Sequence, residues 1–267
     1  LESITESREY SHGDLYFHDG LWLSFDHYTD FSAPERDHVL EKINKTIKEA
    51  GEFMSKAGFL FITFGTARVY RFKESGKIVS NCHKIPSGMF TRELLTVDKI
   101  TSLWYKFLDK LKSNYPNLKV IFTISPVRHM KDGAHGNQVS KSVLFLSVEE
   151  LLKHPSSPGY FPAYEIIMDD LRDYRFYEPD MLHPSQQAVD YIWEEFMKCY
   201  FSSETMELYR EILKITRAAS HKIRGNNPES VKRFSEAFLD KINSFNTRYP
   251  GIDLENEKAY FISLLGS

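Results

Sequence analysis

The chain has 267 residues, enough for one large domain or two small ones with a sizeable core. Hydrophobic residues make up 42% and charged residues 27%, with a formal net charge of −3. That is an ordinary globular balance, and it argues against a dedicated nucleic-acid binder, whose contact face is basic. The two cysteines, Cys82 and Cys199, supply neither a disulfide framework nor a Cys-rich zinc site.

No apolar run approaches the roughly 20 residues that span a bilayer. The opening LESITESREYSHGD lacks the charged-then-apolar profile of a signal peptide. The chain does not begin with Met, so either a leader was removed or the chain is a piece of something longer. The expectation is a soluble chain, cytoplasmic or, if a leader was removed, exported.

In chain order, HDGLWLSFDH (18–27) reads as a docked N-terminal arm or as an aromatic sugar-stacking platform. Ser32-Ala-Pro-Glu35 reads as a capping box with Pro in the first turn. A helix to about Lys56 follows, with Val39, Leu40, Ile43, Ile47, Ala50 and Phe53 on one stripe. FLFITFG (59–65) is a nearly continuous apolar run, predicting a strand buried on both faces. FKESGKIVS (72–80) predicts a small hairpin. Residues 91–113 predict a second amphipathic helix, carrying Leu94, Leu95, Ile100, Leu103, Trp104, Phe107, Leu108 and Leu111. NLKVIFTISPV (117–127) predicts a second buried strand, and the polar loop RHMKDGAHGNQ leads to a third helix at about 139–153.

In YEPDMLHPSQQAVDYIWEEF (177–196), Pro184 suits a first helical turn. Ala188, Val189, Ile192, Trp193 and Phe196 then recur at helical spacing. Residues 203–246 read as helical again, interrupted by RGNNPES near 224–230, and the last twenty are mixed. Strand, helix, strand, helix is the pattern of a parallel sheet covered by helices. In such folds functional groups collect at the carboxyl ends of the strands, here Gly65-Thr66 and Ser125-Pro126.

The candidate chemistry starts with Asp180 and His183, three residues apart on the loop that feeds a helix. An Asp carboxylate there can curl back to the imidazole and fix its tautomer, which is half of a catalytic triad. The alternative is a polar helix start with Asp180 capping a turn. In SNCHK (80–84), Asn81 and His83 point the same way and could line a pocket. Cys82 is a structural thiol in preference to a nucleophile, because adjacent extended residues face opposite sides. Arg128, His129, His135 and Asn137 share one loop and read as pocket lining or solvated loop, with no metal site. Arg172 and Arg175 among neighbouring acids read as a salt-bridge network.

Taken together, FITFGTARVY, NCHKIP, ISPVRH, HGNQVSKS, FPAYEIIMDDLRDYRFYEPDMLHPS and AVDYIWEEF resemble the GSCFA-domain family, which is grouped with the SGNH/GDSL-type hydrolases. The resemblance runs from about His18 to Phe196. It implies a three-layer α/β/α sandwich with a mostly parallel sheet over residues 1–200, and 201–267 are then a helical C-terminal extension. It further implies ester hydrolysis by a Ser-His-Asp mechanism, in which Asp180-Met-Leu-His183 supplies the Asp and the His. Gly65 and Thr66 match the oxyanion segment, but Ala67 stands where an Asn is expected. Asn81 is the candidate replacement, and His83, Arg128 and His129 complete the pocket. The string Gly-Ser-Cys-Phe-Ala, which would carry the nucleophile, does not occur in these residues, so the expectation is that an N-terminal strand–turn is missing. No cofactor is implied. The expected partner is a small-molecule or glycan ester, and the rival reading is a non-catalytic ligand- or carbohydrate-binding module on the same scaffold.

Overall fold

A computed structural model describes residues 1–220 and 227–266. The chain divides into two compact units, Leu1–Ile192 and Trp193–Ser267. In the first lie α1 (Glu2–Thr5), β1 (Tyr16–His18), β2 (Leu21–Leu23), α2 (Arg36–Met54), β3 (Phe59–Phe64), β4 (Arg68–Phe72), β5 (Ile78–Val79) and β6 (Phe90–Leu94). They are followed by α3 (Val97–Asn114), β7 (Lys119–Ile124), α4 (Gly133–Leu151), β8 (Gly159–Phe161) and the short α5 (Ala163–Glu165). A π-helical turn at Ile166–Asp170 continues α5, and α6 (Gln186–Tyr200) crosses the boundary between the units.

The central strands are parallel, as the alternating pattern requires. β3 pairs with β7 from Phe59↔Lys119 to Phe64↔Ile124, and β8 joins the other side of β7, also parallel. A separate antiparallel sheet has the order β5-β4-β6, so the expected hairpin at 72–80 is present as β4 and β5. β7 earns its central place through β-branched and aromatic residues, and every residue from Val120 to Ile124 is buried. Thr96 caps α3 by accepting from the Lys99 N–H. The α3 stripe Ile100, Trp104, Leu108 and Leu111 then joins Ile62, Phe64, Phe122, Leu144 and Val148 in one core. Each fully buried Leu or Phe there contributes about 1.5–3 kcal/mol.

Four expectations are corrected. β3 is not buried on both faces. Phe59 and Phe61 are exposed and alternate with the inward Leu60, Ile62 and Phe64, so that β3 packs one face on the core and leaves the other open. The second helix begins at Val97, not 91, since Phe90–Leu94 is drawn into a ladder with β4. α4 begins at Gly133, so His135 and Asn137 are helical and not part of a loop. Ser32 caps nothing: α2 starts at Arg36, and Ala33 instead bridges to Trp22.

The second unit is helical: α7 (Ser203–Ser220), α8 (Pro228–Arg248) and α9 (Glu255–Leu265). Its core is Ile215, Ile242, Phe245, Leu254 and Phe261. Asn227 caps α8 with Pro228 in the first turn. The interruption expected near 224–230 falls partly on 221–226, outside the described residues. The mixed last segment contains α9.

Candidate functional site

Asp180 and His183 meet through local backbone chemistry. The Asp180 Oδ1 accepts the N–H groups of Leu182 (2.8 Å) and His183 (3.0 Å), closing a tight Asx turn. Met181 accommodates that turn at φ 60°. Oδ2 is left for the imidazole, whose Nδ1–H donates to it at 2.6 Å. The His183 carbonyl accepts from the Glu178 N–H, and Tyr177 bridges to Pro184, so the loop is braced at its base. The His183 backbone N–H, then its imidazole, then the Leu182 N–H hold the Asp180 carboxyl down at about 2. Both side chains are exposed. Nδ1 being the protonated nitrogen, Nε2 is free to accept a proton, and it takes no hydrogen bond among the described residues.

The loop after β7 reaches the same region through Met168. Arg128 and the Tyr177 hydroxyl each approach the Met168 Sδ at 3.9 Å. His129 packs its Nε2 against Gly65, where an added Cβ would lie 3.3 Å away, and its backbone N–H donates to Asn137 Oδ1. Burial foremost, then the charge of Lys141, pushes the His129 imidazole below its ordinary pKa. Thr66 Oγ1 hydrogen-bonds Ser140 Oγ at 2.9 Å, and Ser140 Oγ also accepts the Ala67 N–H.

Asn81 and His83 turn toward the N-terminal arm. Asn81 donates to Thr29 Oγ1 (3.2 Å) and accepts the His83 N–H. His83 Nε2–H donates to the Ser24 carbonyl at 2.8 Å, and its buried Nδ1 has no partner among the described residues. The arm itself is docked, with Leu23 buried and Phe25 packed on Phe72 and Phe90. Cys82 sits half-buried in that cluster, and burial pushes its thiol up, away from the reactive thiolate.

The residue that sequence reasoning missed is Lys141. It is fully buried, and its Nζ donates to the Gly65 carbonyl (2.7 Å) and the Ser125 carbonyl (2.5 Å). Those carbonyls end β3 and β7, so one ammonium ties the two strand ends together. Burial pushes its pKa down to about 8. A signal was present: Lys141, Leu144, Val148 and Leu151 recur at helical spacing, which puts the lysine on the buried stripe. Arg68, Arg92 and Asp132 were missed too, because their association depends on β4 and β6 being neighbours.

Residues 1–196 match the GSCFA family. The chain belongs to the GSCFA family. A search among curated proteins returned no match. Both the dyad loop and the Gly65, Asn81 and Lys141 segments fall inside the GSCFA match. Among the described residues, no group of three or more His, Cys, Asp or Glu side chains could hold a metal ion. No helix among them is long and apolar enough to cross a membrane.

Proposed function

We propose that this GSCFA protein is an SGNH-type hydrolase of carboxylic esters, with a three-layer α/β/α domain over residues 1–200. The Asp180–His183 geometry supports this reading most directly. In it, His183 Nε2 takes the proton of a serine as the serine attacks the acyl carbon, then returns that proton to the leaving alcohol. Asp180 fixes the tautomer and stabilises the imidazolium between the two steps. Backbone N–H groups at Gly65 and Thr66, with the second N–H of the Asn81 amide, would face the oxyanion, at about 3 kcal/mol per donor. His83, Arg128 and His129 border the substrate, a small-molecule or glycan ester. No metal or cofactor enters the reaction. The serine of the Gly-Ser segment that names the family is the nucleophile in this account.

A second reading, a non-catalytic ligand- or carbohydrate-binding module, has one observation in its favour: no hydroxyl among the described residues hydrogen-bonds His183 Nε2. Fluorophosphonate labelling separates the two readings. A form of the protein that includes the Gly-Ser segment should be labelled at that serine, and His183→Ala should abolish the labelling. No labelled serine in that form would favour the binding module.

A further inference from the structure

Two guanidinium groups share the Asp132 carboxylate, and the Lys141 ammonium lies at the carboxyl ends of β3 and β7. Arg92 of β6 grips Asp132 with both guanidinium ends, Nη1 on Oδ1 and Nη2 on Oδ2 at 2.8 Å. Arg68 of β4 brings its Nε to 3.2 Å from Oδ1, but in a geometry that makes no hydrogen bond. The Asp132 side chain is only 3% exposed and is spent on these two. Lys141 adds a third positive charge, and among the described residues its ammonium hydrogen-bonds carbonyl oxygens alone. The group therefore holds two more positive charges than negative ones.

Arg68 is the informative member. Its side chain is 25% exposed and its Nε is buried without an acceptor. A guanidinium carries five donors in a planar fork. Among the described residues none of the five makes a hydrogen bond, while the open quarter faces solvent. An oxyanion bound at the open end of the fork would give these donors charge-assisted hydrogen bonds. The His129 imidazole, held down first by burial, also feels the charges of Lys141, Asp132 and Arg92.

We propose that Arg68, which shares Asp132 with Arg92, forms with the Lys141 charge at the strand ends a subsite for an acidic group of the ligand: a carboxylate, phosphate or sulfate. Combined with the esterase reading, on which this step rests, the substrate is an ester that carries a negative charge near its reacting bond. The subsite itself is a binding feature and is tested without catalysis.

The test is calorimetric titration of the 267-residue chain with sodium phosphate, sodium sulfate and sodium D-glucuronate at constant ionic strength, with neutral D-glucose as the control. At least one anion should bind saturably and glucose should not. Arg68→Gln should weaken that binding at least about tenfold, the loss expected for one charge-assisted hydrogen bond. Arg68→Lys should keep part of it, and Lys77→Gln, an equal charge change at an exposed turn residue, should leave it unchanged. Arg68→Gln also loses the ion pair with Asp132, so Arg68→Lys, which keeps the charge, guards against a folding artefact, and the melting temperature of each variant is read alongside. Glucuronate binding alone assigns a sugar acid; phosphate or sulfate binding alone assigns a phospho- or sulfo-group. Absence of anion binding, or binding that survives Arg68→Gln, overturns the proposal. Anion binding by the chain, together with no esterase activity in the form that includes the Gly-Ser segment, would sink the hydrolase reading and leave the subsite standing.

Discussion

His183 Nδ1 lies 2.6 Å from Asp180 Oδ2, while the other oxygen of that carboxylate accepts the His183 backbone N–H. One residue thus holds both the ring and the main chain of the other. The Asp180 carboxyl sits at about 2, below its ordinary value of 3.8. A native pKa below the unfolded one favours the closed loop above pH 3.8, and that preference disappears as pH falls through about 2. A carbon-detected NMR titration should place the Asp180 midpoint near 2, and His183→Ala should raise it only part-way, because the backbone N–H bonds remain. A midpoint at the ordinary value in the parent would mean that the pair is open in solution.

Lys141 gives a pH effect of the opposite origin. Folded, it holds its proton only up to about 8; unfolded, up to about 10.5. Between those values the unfolded chain binds more protons, so stability from this residue rises with pH across the window. Urea denaturation of the parent and of Lys141→Met should show the parent gaining on the variant from pH 8 to 10.5. Parallel curves would contradict a desolvated ammonium.

Gly159 of β8 faces Ile121 of β7 so closely that an added Cβ would lie 2.7 Å from the Ile121 Cδ1. Ile121 is buried and has little room to yield. Gly159→Ala should destabilise by about 1–3 kcal/mol through overpacking. Ile121→Val, which deletes the offending methyl, should recover much of that loss in the double variant. Additive effects of the two changes would show that the contact is not the cause.

Cys82 is half-buried with a raised thiol, whereas Cys199 is exposed. Iodoacetamide at neutral pH should alkylate Cys199 first, as read by mass spectrometry of quenched samples. Preferential reaction at Cys82 would revive it as a nucleophile.

Much of this was readable in advance where short-range chemistry decides. The Asp180–His183 pairing follows from three-residue spacing on the loop before α6, although α6 starts at Gln186 and Pro184 bridges to Tyr177 instead of opening the helix. The β3–β7 parallel pair follows from two apolar runs separated by an amphipathic helix. The misreadings arose where partners distant in sequence decide. Phe90–Leu94 has enough apolar residues to pass for the start of α3, and only its ladder with β4 makes it a strand. The alternation of exposed Phe59 and Phe61 was hidden because aromatic residues on an open face look the same in sequence as aromatic residues in a core. Lys141 was not singled out, although it shares a stripe with Leu144, Val148 and Leu151. Asn81 was chosen on the proximity of loops, and its contacts, one amide N–H to Thr29 and the amide oxygen to the His83 N–H, depend on a fold that the sequence alone does not display.

The central claim is that His183, oriented by Asp180, activates a serine for acyl transfer. Without a serine the covalent route that divides acyl transfer into two easier steps is lost. Binding and an oxyanion hole alone sustain only about 10³–10⁴-fold acceleration over water. The deciding measurement is p-nitrophenyl acetate hydrolysis by the 267-residue chain, by a form that includes the Gly-Ser segment, and by His183→Ala of that form. Turnover should appear only in the second and vanish in the third. Robust turnover by the 267-residue chain, or activity in the longer form that survives His183→Ala, would contradict the account.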